Sequence, residues 1–257
     1  MTMYTFGWCS EIQQAEKLKD LGFDYIECAL VSLNLENETE YAARLPLFMN
    51  SPLPVRAFNI FFPGDLKVVG PEVDQERLQR YIHKAAKALN QVGAKNVVLG
   101  SGRSRNIPEG WERNRSEEQF MQLLSCIGEE FAGTGVTLVI EPLNKKETNL
   151  INSVSEAVRF AKQVNHPSVR VLADFYHMDE EKESLQTLID NKAWLQHIHL
   201  ADTGRFSPGT GQYPYEQFVT ALKASGYEGM ISAECTVRDP ETDQRDSLAF
   251  MKRVFAY

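Results

Sequence analysis

A unit of helix, glycine turn and short apolar strand recurs down this chain, and it limits the fold more than any other feature. In each copy an amphipathic helix stops at Gly, a few turn residues follow, and a strand closes on a polar or acidic side chain. Lys17 to Leu21 runs through Gly22-Phe23-Asp24 into Tyr25-Ile26-Glu27, and Ala85 to Val92 runs through Gly93-Ala94-Lys95 into Asn96 to Leu99. Further on, Phe120 to Phe131 leads past Gly133 and Gly135 into Val136 to Glu141, and Phe218 to Ala224 leads past Gly226 and Gly229 into Met230 to Glu234. With the segments between, the pattern predicts strands near Tyr4 to Trp8, Tyr25 to Cys28, Val55 to Asn59, Asn96 to Leu99, Thr137 to Glu141, Val169 to Asp174, Leu195 to Leu200 and Met230 to Glu234. A helical pattern follows each one, the last from about Asp246 to Phe255. Such alternation makes a parallel sheet, and eight units in 257 residues are the size of a closed (β/α)8 TIM barrel of the α/β class. An open doubly wound sheet would carry a Gly-rich phosphate turn after its first strand, which Phe6-Gly7-Trp8-Cys9-Ser10-Glu11 is not. No Pro/Ser-rich linker or low-complexity run divides the chain, so residues 1–257 read as a single barrel domain.

Composition narrows the class of work. A hydrophobic content of 43% supplies a real core, and a net charge of -8 argues against nucleic acid as the main partner, because nucleic-acid binders carry a basic footprint. Cys9, Cys28, Cys126 and Cys235 form no C-x-x-C pair, so reduced thiols in the cytoplasm are expected. Met1 to Gly7 lacks a basic n-region leading into an apolar run, and no apolar stretch approaches membrane-spanning length, so neither export nor a membrane partner is expected. A small-molecule substrate fits this balance, and a homo-oligomer is left open.

In a barrel of this kind the site is built at the C-terminal ends of the strands. Four consecutive strands close on ligand-type residues: Glu141 on the fifth, Asp174 on the sixth, His199 on the seventh and Glu234 on the eighth. Any one of these acids could cap a helix or join a loop ion pair, and His197 and His199 share a face, so one of them can be a mere neighbour. The coincidence of four strands is what points to a site. Three clustered carboxylates push one another toward the neutral form unless a cation is present, so a divalent metal is expected. Three oxygen donors and one nitrogen suit Mn²⁺, Mg²⁺ or Co²⁺ better than a thiolate-rich structural zinc site, with catalytic Zn²⁺ also compatible.

The runs Val139-Ile140-Glu141-Pro142-Leu143-Asn144, Ala173-Asp174-Phe175-Tyr176-His177-Met178, His197-Ile198-His199-Leu200-Ala201-Asp202 and Ser232-Ala233-Glu234 resemble the xylose isomerase-like barrel superfamily of sugar isomerases and epimerases. Ketose 3-epimerases, inosose isomerases and hydroxypyruvate isomerases are the most similar groups, and the likeness is strong over residues 136–238. The resemblance implies metal ligands at Glu141, Asp174, His199 and Glu234, with Mn²⁺ the first choice, and substrate contacts from His177, Arg205 and Glu147. It also implies a sugar or keto-polyol substrate. The stretch from Ala201 to Gly211 departs from the epimerases toward the hydroxypyruvate and inosose isomerases, whereas the hydroxypyruvate group usually has Gln where His199 stands.

The expected chemistry is proton transfer beside a carbonyl through an enediolate, with Glu141 and Glu234 as base and acid on two faces of the substrate. Ketose 3-epimerase-like activity heads the list, with hydroxypyruvate or inosose isomerisation, and dehydration or lysis of a keto-sugar or inosose, as alternatives. Endonuclease IV-like DNA repair shares the barrel but needs more ligands than His83, His166, His177, His197 and His199 can supply, and a sugar-binding barrel without catalysis is the remaining alternative. Lesser candidates are Gly100-Ser101-Gly102-Arg103-Ser104-Arg105 as a phosphate cradle or mobile loop, Glu27 and Asn59 as pocket groups, Trp8 as a sugar-stacking ring, and Cys9 and Cys235 near the catalytic mouth.

Overall fold

Eight strands pair in parallel and in sequence order, and the eighth returns to the first to close the barrel. They are β1 Thr5–Cys9, β2 Tyr25–Ala29, β3 Val55–Asn59, β4 Asn96–Leu99, β5 Thr137–Ile140, β6 Val169–Asp174, β7 Leu195–Leu200 and β8 Met230–Ala233. The helices between and after them are α1 Ala15–Leu21, α2 Glu38–Met49, α3 Gln75–Val92, α4 Gly102–Arg105, α5 Arg113–Phe131, α6 Val154–Val164, α7 Phe175–Glu180, α8 Gln186–Asp190, α9 Tyr215–Ser225 and α10 Asp243–Phe255. This computed structural model describes residues 4–256; Met1 to Met3, on which part of the leader reading rests, and Tyr257 lie outside the described residues. Among the described residues no helix is long and apolar enough to cross a membrane.

The glycine punctuation works as the sequence suggests. Gly93 closes α3 at φ 80, a left-handed conformation that costs a residue without Cβ nothing, and its N–H bonds back to the carbonyls of Leu89 and Asn90. Some helix starts are capped by side chains, Asp74 accepting from the Arg77 N–H ahead of α3 and Ser153 from the Glu156 N–H ahead of α6. Outward-facing strand residues such as Phe6, Ile26, Phe58, Leu138 and Ile198 join the buried helix faces in one continuous core.

The barrel interior has two unlike halves. On β4, β5 and β6 it is filled by Val98, Val139 and Leu172, which form a small apolar cluster of their own. On β2, β7 and β8 the same depth is polar, with Glu27, His197 and Ser232 all fully buried. Tyr25 lies across β1, where a Cβ on Gly7 would sit 2.2 Å from its ring. One period of two further along the strands come Cys9, Asn59, Gly100, Glu141, Asp174, His199 and Glu234, at the C-terminal mouth. Glu141 and Glu234 stand one position past their strands, yet their N–H groups still bond to the carbonyls of Leu99 and Leu200, which aims the side chains as strand residues.

Candidate metal centre and active site

Glu141, Asp174, His199 and Glu234 each bring one ligand atom into a group in which all four lie within 4.8 Å of one another. His199 Nδ1 is 3.2 Å from Glu141 Oε1, 3.6 Å from Glu234 Oε2 and 3.9 Å from Asp174 Oδ2. Asp174 divides its labour: Oδ1 accepts the N–H groups of Tyr176 and His177 at the start of α7, while Oδ2 is buried without a partner among the described residues. A buried carboxylate oxygen left unmet is costly, and a cation is the partner that this geometry suits.

The three carboxylates and the imidazole also perturb one another's protonation. Burial, followed by the neighbouring Glu234 charge, pushes the Glu141 carboxyl above its usual range. Burial acts in the same direction on Glu234 but is outweighed by His199 and the Arg205 guanidinium, which hold it down at about 2. His199 is raised well above the ordinary imidazole value, because Glu27 and Glu234 overcome the opposing effect of its burial.

Around the four stand their supports. Asn59 donates to Glu234 Oε1 at 2.8 Å, and Arg205 donates to Glu234 Oε2 at 2.8 Å and to Glu147 Oε1 at 3.0 Å. Glu147 also accepts from Asn144, 3.1 Å away, and it is Asn144 that orients His177, its backbone N–H at 3.1 Å and side-chain amide at 2.9 Å both meeting Nδ1. Glu147 therefore reaches His177 only through Asn144. With Nδ1 accepting, the proton of a neutral His177 ring sits on Nε2, which is buried without a partner among the described residues.

The stretch from Ala201 to Gly211 is a scaffold for Arg205. Asp202 takes the N–H groups of Thr203, Gly209 and Tyr213 on its carboxylate, and a Cβ on Gly211 would sit 2.4 Å from that carboxylate. The loop so pinned holds Arg205 at φ 62, with its guanidinium 5.2 Å from the Tyr176 ring centroid.

Several lesser expectations need correction. Trp8 is 1% exposed and packs edge-on against Phe23, outside the barrel, so it offers no face to a sugar. The segment from Gly100 to Arg105 is no phosphate cradle built on two arginines: Arg105 is fully buried and donates to the carbonyls of Leu99 at 3.0 Å and Glu141 at 2.7 Å. Burial without a carboxylate partner pushes its guanidinium down to about 10. Gly100 backs directly on the site, since a Cβ there would stand 2.1 Å from Glu141 Oε2. Glu27 lies beneath the site, against His199, and Asn59 reaches Glu234. Cys9 stands beside Glu27 and His199, with burial and the surrounding carboxylates holding its thiol protonated. Cys235 turns toward Ser207 instead.

A cleft of about 400 Å³ opens over these groups, lined by Ile60, Phe62, Arg103, Glu141, Arg205 and Glu234 among others. Its size suits a small polar molecule.

The sequence matches the family described as xylose isomerase-like TIM barrel over residues 15–254. The 3-dehydro-D-guloside 4-epimerase of Escherichia coli (strain K12) is 29% identical over 94% of this chain and 94% of the relative. The D-psicose 3-epimerase of Agrobacterium fabrum is 33% identical over 87% of this chain and 78% of the relative. Among solved structures, the apo 3-keto-D-glucoside 4-epimerase of E. coli superposes with a TM-score of 0.82 at 25% identity, covering 97% of this chain and 99% of that one.

Proposed function

This chain belongs to the xylose isomerase-like TIM barrel family, and from that premise we propose that it is a metal-dependent epimerase of keto-sugars, inverting a carbon beside the carbonyl. The observation that carries the reading is the group of three carboxylates and one imidazole at the mouth, with Asp174 Oδ2 left unmet. Glu141, Asp174, His199 and Glu234 are the residues that would hold the ion, and three oxygens with one nitrogen and no thiolate favour Mn²⁺. A bound divalent ion supplies Lewis-acid polarisation of a carbonyl. Adding Mn²⁺ at about 100 times its Kd should stabilise the fold by about 2.7 kcal/mol, or about 5–10 °C in Tm for a chain of this size. Calorimetry of chelator-treated protein with and without the ion checks this, and an unmoved Tm would count against the site.

The chain's own residues do the rest. Glu141 and Glu234 end different strands and face each other across the mouth, so one takes the proton from the α-carbon and the other returns one to the opposite face. Negative charge growing on the substrate oxygen is met by the Nε2–H of His177 and the guanidinium of Arg205. Asn144 keeps that His177 proton in place. Asn144→Ala is accordingly expected to lower kcat/KM by about 2- to 10-fold, the worth of one hydrogen bond, without unfolding the protein. Steady-state kinetics reads this, and an unchanged value would remove Asn144 from the account.

Curated relatives matched end to end or nearly so act on keto-glycosides or free ketoses, so both classes are substrates to try first. Incubating Mn²⁺-loaded protein with free ketoses, keto-glycosides, inososes and hydroxypyruvate, then reading products by NMR and mass spectrometry, tests the reading. An epimer of unchanged mass supports it. Loss of water or of an aglycone reassigns the chain to a dehydratase or lyase, and an aldose product reassigns it to an isomerase.

A further inference from the structure

We propose that Glu27 and His197 are positioning residues that fix the tautomer of His199, so that Nδ1 rather than Nε2 is the donor it offers the metal; this rests on the four-residue site described above. Glu27 sits mid-strand in β2, fully buried, with both oxygens committed. Oε1 lies 2.9 Å from His199 Nε2, while Oε2 lies 2.8 Å from His197 Nε2 and 2.6 Å from Ser232 Oγ, which in turn is 2.7 Å from the Tyr25 hydroxyl.

An ionised carboxylate only accepts hydrogen bonds, so each imidazole nitrogen facing it must carry a proton. In His199 that leaves the Nδ1 lone pair as the donor, and Nδ1 is the atom turned toward Glu141, Asp174 and Glu234. His197 has a different task. It lies one layer below on the same face of β7, its Nδ1 meets nothing among the described residues, and its Nε2 holds the second Glu27 oxygen. With both oxygens engaged the carboxylate cannot turn away from His199. The polar half of the barrel interior, costly beside the Val98, Val139 and Leu172 half, thereby becomes a device for aiming one ligand.

Glu27→Gln keeps the shape but not the logic, because an amide offers one acceptor and one donor. One imidazole must then present a bare Nε2, and where that ring is His199 its single N–H proton moves to Nδ1, the atom the metal should bind. Mn²⁺ titrated into the metal-free protein should bind about 10- to 100-fold more weakly in Glu27→Gln than in the unmutated chain. His197→Gln, which frees one Glu27 oxygen, should weaken it less. The direct readout needs no variant: in Zn²⁺-loaded protein with ¹⁵N-labelled histidine, long-range ¹H–¹⁵N correlation should show His199 bound through Nδ1 with a slowly exchanging proton on Nε2. Binding through Nε2, or an unchanged Mn²⁺ Kd in folded Glu27→Gln, overturns the proposal. The functional reading fails separately, since a protein that binds the ion through Nδ1 yet converts no keto-sugar leaves this assignment standing.

Discussion

Glu141→Gln and Glu234→Gln should each lower kcat/KM by about 10²–10⁴-fold, the usual worth of a positioned acid or base, while the barrel stays folded. In the proposed function each carboxylate carries a proton and holds a ligand position, and an amide of the same shape does neither well. The two variants should also differ in ways that report their surroundings. Glu234 is held by Arg205 and Asn59, so its amide frees a guanidinium that Glu147 alone must then hold. Glu141 is braced from behind by Arg105 through its main-chain carbonyl, and that contact survives the substitution. Circular dichroism and Tm establish that both variants fold, and steady-state rates on whichever keto-sugar the wild-type protein converts measure the loss. Rates within a few-fold of wild type for both would mean that the proton carriers lie elsewhere.

Gly100→Ala should produce a loss of similar order from a single methyl group. The added Cβ would stand 2.1 Å from Glu141 Oε2 and 3.3 Å from its Cδ, so the carboxylate would have to move by more than 1 Å to restore ordinary contact. Leu143 Cδ2, 3.7 Å away, would be in ordinary contact, so the clash is with the carboxylate. A misplacement of about 1 Å at a reacting group costs about 10²-fold in rate, and under the proposed function Glu141 is also a metal ligand, so weaker metal binding should accompany the slower turnover. Gly93→Ala is the informative contrast, because a Cβ there meets nothing within 4 Å. It should reduce stability through its left-handed φ of 80 while leaving metal affinity alone. Equal metal affinity in Gly100→Ala and wild type would show that the mouth has more slack than the contacts allow.

The fold was legible because it is periodic. Helix faces, glycine stops and short apolar strands each follow from local chemistry, and eight repeats leave one closed parallel solution. The four strand-end candidates are legible for a related reason: a barrel gathers strand ends, so Glu141, Asp174, His199 and Glu234, 25 to 35 residues apart along the chain, become neighbours without any further information. What escaped was everything that depends on contact across the interior. Glu27 looks like an ordinary strand-end acid, and its meaning comes from His197 and His199, some 170 residues on and across the barrel. The same holds for Arg105. In sequence it belongs to a Gly-Ser-Gly-Arg loop with phosphate-binding looks, but a four-residue helix turns it to the carbonyls of Leu99 at the end of β4 and Glu141 just past β5. Asn144 was visible in the Glu-Pro-Leu-Asn run, but only the return of α7 over that loop makes it the partner of His177. Alternation along β1 does not tell which face looks inward: Gly7 and Cys9 do, and Trp8 joins the outer core.

Proton transfer by Glu141 and Glu234 at the carbon beside a substrate carbonyl is the step that we propose. Its most direct test is solvent exchange: Mn²⁺-loaded protein incubated in deuterated water with a panel of ketoses, keto-glycosides and inososes, with product and recovered substrate read by NMR. A single deuterium at the carbon beside the carbonyl, gained with the wild-type chain and lost with Glu141→Gln and with Glu234→Gln, is the result expected. Exchange that persists undiminished in both variants would contradict the account.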